Sequence, residues 1–136
     1  MTSEYKKPIP VSSDESRPYW AGMKEHKLLM PRCDDCGKAW FPPTQFCTHC
    51  SSRNWQWSQM SGRGKIFSFV VYHRVYHRGF AGETPYAVAV IELEEGPRML
   101  SNVTGIAVDA ITCDMPVEIV YEDITDEATI PKFRPV

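Results

Sequence analysis

From Trp55 onward, apolar and polar positions alternate with a period of two, and β-branched and aromatic residues dominate. That pattern predicts half-buried strands. Trp55-Gln56-Trp57-Ser58 is the first, and Gly64 opens a long one over Lys65-Ile66-Phe67-Ser68-Phe69-Val70-Val71-Tyr72-His73. A third runs over Tyr86-Ala87-Val88-Ala89-Val90-Ile91-Glu92-Leu93, ends in the turn Glu95-Gly96-Pro97 and pairs as a hairpin with Arg98-Met99-Leu100-Ser101-Asn102-Val103. The last is Met115-Pro116-Val117-Glu118-Ile119-Val120-Tyr121, with Pro116 at its start or on an edge. Before residue 55 the spacing differs. Tyr19, Trp20, Met23, Leu28 and Leu29 give an imperfect helical stripe with Ser16 as N-cap and Pro18 in the first turn, and Pro31 is expected to end it.

Five short antiparallel strands favour a small closed barrel, which removes exposed sheet edges, and the five-stranded OB-fold is the leading candidate. A small open sheet is the alternative. The chain divides into an extended arm (1–15), a helix (16–31), a cysteine module (32–54), a β-domain (55–124) and a tail (125–136). Two prolines, Pro131 and Pro135, argue against regular structure in the tail, although Ile130 and Phe133 would pack on the barrel or a partner.

The cysteine module changes the picture most. Cys33-Asp34-Asp35-Cys36 and Cys47-Thr48-His49-Cys50 have the spacing of two metal-binding knuckles, and Gly37 follows the first where positive φ is often required. Four thiolates form a tetrahedral structural Zn2+ site, one ion per chain. Two disulfides would suit a secreted, cysteine-dense chain, and a redox pair would open a long helix, which Pro42 and Pro43 forbid. With four cysteines available, His49 is a bystander, and Cys113 is expected to be a small buried hydrophobe. A four-cysteine site leaves no open position for water, so Lewis-acid catalysis is not expected.

Acidic residues outnumber basic ones 17 to 15 among 136 residues, so no bulk charge attracts nucleic acid. No apolar run approaches the roughly 20 residues of a membrane helix. The opening Met1-Thr2-Ser3-Glu4-Tyr5-Lys6-Lys7 leads into prolines and not into an apolar segment, which predicts a cytoplasmic protein. No Gly-x-Ser-x-Gly, phosphate-binding glycine loop or His-Glu-x-x-His occurs. Asp109, Asp114, Glu118 and Asp123 read as solvated faces.

The run Tyr72-His73-Arg74-Val75-Tyr76-His77-Arg78-Gly79-Phe80 concentrates cations and aromatics where a strand meets a loop. His73, Arg74, Tyr76, His77, Arg78 and Phe80 are candidate ligand-binding residues, because guanidinium forks suit phosphate oxygens and aromatic rings flank flat groups. The competing reading is an amphipathic strand with a solvated face. His73 and His77 would lie about 13 Å apart on a strand, too far to share a metal. Tyr19, Trp20 and Met23 are either core against the metal module or a docking patch.

In order along residues 16–122, several features resemble the acyl-CoA-associated proteins of domain-of-unknown-function family 35. They are Pro18-Tyr19-Trp20, Arg32-Cys33-Asp34-Asp35-Cys36-Gly37, Trp40-Phe41-Pro42-Pro43, Cys47-Thr48-His49-Cys50, Gly64-Lys65-Ile66 and Pro85-Tyr86-Ala87-Val88 through Gly105. The resemblance implies an N-terminal helix, a rubredoxin-like zinc ribbon and an OB-fold. It also implies a non-catalytic accessory subunit that binds or channels acyl-CoA and scaffolds a partner enzyme. Partners in such assemblies are thiolase-superfamily thiolases, synthases, aldolases and acyltransferases, or hot-dog-fold acyl-CoA hydratases. The alternative from another class is an OB-fold module binding single-stranded nucleic acid through aromatics and a basic groove.

Overall fold

A computed structural model describes residues 5–136. The elements run α1 (Arg17–Lys24), β1 (Leu29–Cys33), β2 (Trp55–Gln59), β3 (Arg63–Tyr72), β4 (Tyr86–Leu93), β5 (Arg98–Val103), β6 (Pro116–Asp123) and β7 (Thr129–Pro135). β1 and β2 pair antiparallel as a two-stranded sheet, and the other five close a barrel in the order β3-β4-β5-β7-β6.

The alternation in β4 sets the barrel. Ala87, Ala89, Ile91 and Leu93 face inward and are buried, while Tyr86, Val88, Val90 and Glu92 face out. Closure requires β3 to bend. Its first residues pair with both β4 and β6, with Gly64 opposite Leu93 on one side and Val117 on the other. Gly64 has no room for a side chain, since a Cβ there would overlap the Glu92 carbonyl. A register shift between Ile66 and Ser68 then turns the strand, as a bulge does.

One hydrophobic core spans the helix, β1 and the barrel: Tyr19, Met23, Leu28 and Met30 pack in the same cluster as Ile66, Ile91, Met99, Val117 and Phe133. Tyr19 and Met23 are therefore core residues, and Trp20 packs partly buried against them. A smaller cluster around Cys33, Cys47 and Trp40, with Trp55 beside it, holds the cysteine module. Both indoles are satisfied: Trp40 Nε1 donates to Thr44 Oγ1 (3.0 Å) and Trp55 Nε1 to the Gln45 carbonyl (2.9 Å).

Three expectations change. The helix stops at Lys24 and not at Pro31. Lys27 N–H bonds to the Gly22 carbonyl and His26 N–H to that of Met23, both at 2.9 Å, with His26 at φ 61°. That is a Schellman stop with histidine in the left-handed position usually given to glycine. Leu28 follows the stop, Leu29 opens β1, and Pro31 lies within β1 opposite Trp57. Proline is tolerated there because a two-stranded sheet leaves an edge.

The second change concerns the barrel's membership. Trp55–Gln59 belongs to the ribbon sheet, and the fifth barrel strand is the tail segment Thr129–Pro135. It pairs along its length with β6, and Val103 of β5 meets Phe133 in parallel on its other side. Phe133 is fully buried, and its carbonyl accepts the Thr104 N–H at 2.8 Å. Third, Cys113 is exposed in the turn before β6 and not a buried hydrophobe.

The arm is described from Tyr5, and residues 1–4 of the expected arm lie outside the described residues. No helix among the described residues is long and apolar enough to cross a membrane.

Candidate metal centre and ligand cleft

The two cysteine knuckles repeat the same local design. Gly37 N–H bonds to the Cys33 carbonyl (3.0 Å) and Ser51 N–H to that of Cys47 (2.9 Å). Gly37 and Ser51 take φ 77° and 65°, so the second knuckle uses a serine where the first uses glycine. Each turn then aims amides at its leading sulfur. Asp35 and Cys36 N–H reach Cys33 Sγ at 3.3 and 3.4 Å, and His49 N–H reaches Cys47 Sγ at 3.3 Å.

These sulfurs fit zinc. All four lie within 4.8 Å of one another, and the Cys33–Cys50 and Cys36–Cys47 pairs stand 3.6 Å apart. A regular tetrahedron with Zn–S bonds of about 2.3 Å has edges of about 3.8 Å. The amide of Cys36, with that of Asp35, draws the Cys33 thiol down to about 7. The Ser52 amide favours the Cys50 thiolate, yet the Cys33 sulfur, burial and the other two sulfurs together outweigh it and push Cys50 up to about 12. Protons therefore remain among four crowded thiols until a dication displaces them. His49 is exposed and outside the cluster, and no other group of metal-holding side chains occurs among the described residues.

The loop candidates divide into two places. β3 ends at Tyr72, so residues 73–85 form a loop with one 3-10 turn at Arg78–Phe80, and the strand premise for His73 and His77 does not hold. His73, Arg74 and Tyr76 line a cleft of about 640 Å³ together with Val70, Val71 and Tyr72. The other three lie elsewhere on the loop. His77 Nδ1 accepts the Gly79 N–H at 2.9 Å and caps the 3-10 turn. Phe80 stacks on Tyr86 with ring centroids 5.0 Å apart, and Arg78 is exposed.

An aromatic ladder links the two places. Phe80, Tyr86 and Tyr72 stack in turn, and Tyr76 meets Tyr72 edge-on at 5.8 Å. The arm clasps the far end. Lys7 Nζ sits 5.0 Å from the Phe80 ring centre and 2.7 Å from Glu83 Oε1. Gly79 must be glycine for this, because a Cβ would come 2.5 Å from the Lys6 carbonyl oxygen. Sequence reasoning missed Lys7 because no local signal ties it to a loop more than 70 residues away. It could have included Val70 and Tyr72, which the alternation of β3 turns outward.

The four acidic positions do not assemble. Asp114 pairs with Lys65 (3.7 Å), Glu118 with Arg134 (3.0 Å), and Asp123 accepts from the Thr129 hydroxyl (2.5 Å), while Asp109 is exposed.

The ChsH2 rubredoxin-like zinc ribbon domain matches residues 20–56, and the ChsH2 C-terminal OB-fold domain matches residues 57–122. A DUF35 domain-containing scaffold protein of Pyrococcus furiosus is 34% identical, with 96% of each chain covered. The chain belongs to the DUF35 family. Other relatives are named as subunits of acyl-CoA enzymes. The probable enoyl-CoA hydratase alpha subunit of Thermomonospora curvata is 36% identical over 95% of this chain, which spans only 40% of that subunit's length. A benzoylsuccinyl-CoA thiolase subunit, BbsA of Geobacter metallireducens, is 33% identical over 82% of this chain and 67% of its own. Among solved structures, a chain of the Ltp2-ChsH2(DUF35) aldolase superposes with a TM-score of 0.83 at 36% identity, covering 93% of this chain and 98% of that one. The ribbon of four cysteines and the barrel of this chain are thus those of the DUF35 family, and its relatives include a protein named as a thiolase subunit and a chain of an aldolase.

Proposed function

We propose that this DUF35 chain is a non-catalytic accessory subunit. It binds or channels acyl-CoA and scaffolds a thiolase-superfamily enzyme or an acyl-CoA hydratase of the hot-dog fold. The observation that carries this reading is the near-complete superposition on the DUF35 chain of an aldolase assembly. Two features of the site support it. The only cluster of metal-holding groups among the described residues is a saturated four-sulfur set, which offers no position for a reacting water. The acidic side chains are paired or exposed separately, so no acid–base pair converges on the cleft.

In this reading zinc is a structural staple supplied to the ribbon by Cys33, Cys36, Cys47 and Cys50. It lets a module too small to bury a core of its own present a fixed surface beside the barrel. His73, Arg74 and Tyr76 contact the acyl-CoA, whereas His77 and Phe80 hold the loop that carries them and Arg78 stands exposed on it. The protein works in the cytoplasm, where thiols stay reduced and available to the metal.

The test is turnover with and without a partner. The zinc-loaded chain is assayed alone and after co-expression with thiolase-type and acyl-CoA hydratase candidates from the same genome. The chain alone should turn over no acyl-CoA, and the complex should outperform the partner enzyme alone. Turnover by the isolated chain would refute the accessory role.

A further inference from the structure

The cleft side of the aromatic ladder is built differently from the arm side. At the arm side, Phe80 is covered by the Lys7 ammonium, which Glu83 holds in place. At the cleft side, Tyr76 remains 72% exposed. Its ring stands at 83° to that of Tyr72, while Tyr72 is fixed from behind by stacking on Tyr86 at 13°. Two ring planes at right angles thus make a corner opening on the cleft. The Arg74 guanidinium lies 5.8 Å from the Tyr76 ring centre, and no carboxylate among the described residues pairs with it. Val70, 56% exposed, supplies an apolar wall.

Each feature selects a ligand property. A ring corner takes a flat π-system, which stacks on one ring and meets the other with its edge. An unpaired guanidinium beside it takes phosphate oxygens through its planar fork. An apolar wall suits a ribose or ring edge. A flexible amide chain would instead want paired donors and acceptors along a narrow channel, whereas this cleft is lined by Val70 and Val71, the two tyrosine rings, His73 and the Arg74 guanidinium. We infer that Tyr72, Tyr76 and Arg74 seat a phosphorylated purine nucleoside. This rests on the acyl-CoA reading for its source, and there it names the adenosine 3′,5′-bisphosphate head as the part held here, not the pantetheine arm.

The experiment titrates the zinc-loaded full chain with adenosine 3′,5′-bisphosphate, adenosine, pantetheine, coenzyme A and oligo(dA), using calorimetry and saturation-transfer NMR. Adenosine 3′,5′-bisphosphate and coenzyme A should bind alike. Tyr76→Ala should weaken both roughly tenfold or more, as loss of a base–aromatic stack does. Arg74→Ala should do likewise and erase the preference over unphosphorylated adenosine, while far-UV circular dichroism stays that of the parent. Binding of pantetheine without the bisphosphate would overturn the inference and leave the acyl-CoA reading standing. Binding of oligo(dA), sensitive to the same substitutions, with no binding of coenzyme A would keep the nucleotide corner and refute the acyl-CoA source. No binding of any purine ligand, or binding unchanged in Tyr76→Ala and Arg74→Ala, would overturn the inference outright.

Discussion

Replacing Phe133 by alanine tests whether the tail is the closing strand of the barrel. Phe133 is fully buried in β7, faces Ile119 across β6 and Val103 across β5, and shares one cluster with the helix residues Tyr19 and Met23. Truncating a buried phenylalanine removes its transfer free energy and leaves a cavity, a loss of about 3–5 kcal/mol. A domain of this size has only about 5–15 kcal/mol in total, so the midpoint of thermal unfolding should fall by about 10–20 °C. The control is Lys132→Ala in the same strand. Lys132 is partly buried and pairs with Glu122 at 2.7 Å, and its loss leaves no core cavity and costs about 1 kcal/mol. Unfolding of the zinc-saturated protein would be followed by far-UV circular dichroism and by tryptophan fluorescence. All four tryptophans, Trp20, Trp40, Trp55 and Trp57, lie in the helix and the ribbon, so fluorescence reports the half that lacks Phe133. The shared core predicts that both signals shift together. A Phe133→Ala shift no larger than that of Lys132→Ala would show that the tail does not close the barrel. A shift in dichroism alone would show that helix and barrel unfold separately.

The remaining predictions concern the metal, the acid limb and the loop. Cys47→Ser should lower bound zinc from one ion per chain and blue- or red-shift the emission of Trp40 and Trp55, which pack beside the sulfurs; a chromogenic chelator assay with fluorescence checks this, and unchanged emission on zinc loss would contradict it. Zinc release should rise as pH falls, because protons compete for the thiolates, and a pH-independent release midpoint would argue against the four-thiolate set. The Thr129 hydroxyl, followed by His26, holds the Asp123 carboxyl below its usual value. A depressed folded value stabilises above the ordinary carboxylate pKa of about 4 and loses that contribution as pH falls through the lowered value. Asp123→Asn should therefore flatten the acid side of the stability profile in that window, read by denaturant unfolding, and an unchanged profile would refute the coupling. Lys7→Ala should release the loop clasp and raise proteolytic nicking and hydrogen exchange across residues 73–85, with the barrel's exchange unaffected; protection equal to the parent would show that Lys7 does not hold the loop.

Parts of this architecture were legible in the residues because the physics is local. The paired Cys-x-x-Cys turns specify their metal by ligand type and spacing, and the strict alternation of Tyr86–Leu93 specifies a half-buried strand. What was not legible depended on long-range pairing or on unusual residues in familiar turns. The helix ran on in the reading because Leu28 and Leu29 continue the helical stripe, and its true stop uses His26 where glycine is expected. The tail looked irregular because prolines lack an N–H. Yet β7 carries Pro131 opposite Tyr121, and its carbonyl still accepts the Ser101 hydroxyl at 3.0 Å, so the strand survives without that donor. The site split for a similar reason. The six loop candidates look contiguous in sequence, but the 3-10 turn at Arg78–Phe80 carries His77, Arg78 and Phe80 away from the cleft that His73, Arg74 and Tyr76 line.

The central claim is that a zinc-stapled DUF35 chain acts as a scaffold for an acyl-CoA enzyme. Native mass spectrometry of the chain co-expressed with thiolase- and hydratase-type candidates from the same genome tests this most directly. The account predicts a hetero-oligomer that retains one zinc ion per copy of this chain and that Cys33→Ser dissolves. A chain that stays alone beside its folded partner, or a complex that assembles fully in the zinc-free Cys33→Ser variant, would contradict it.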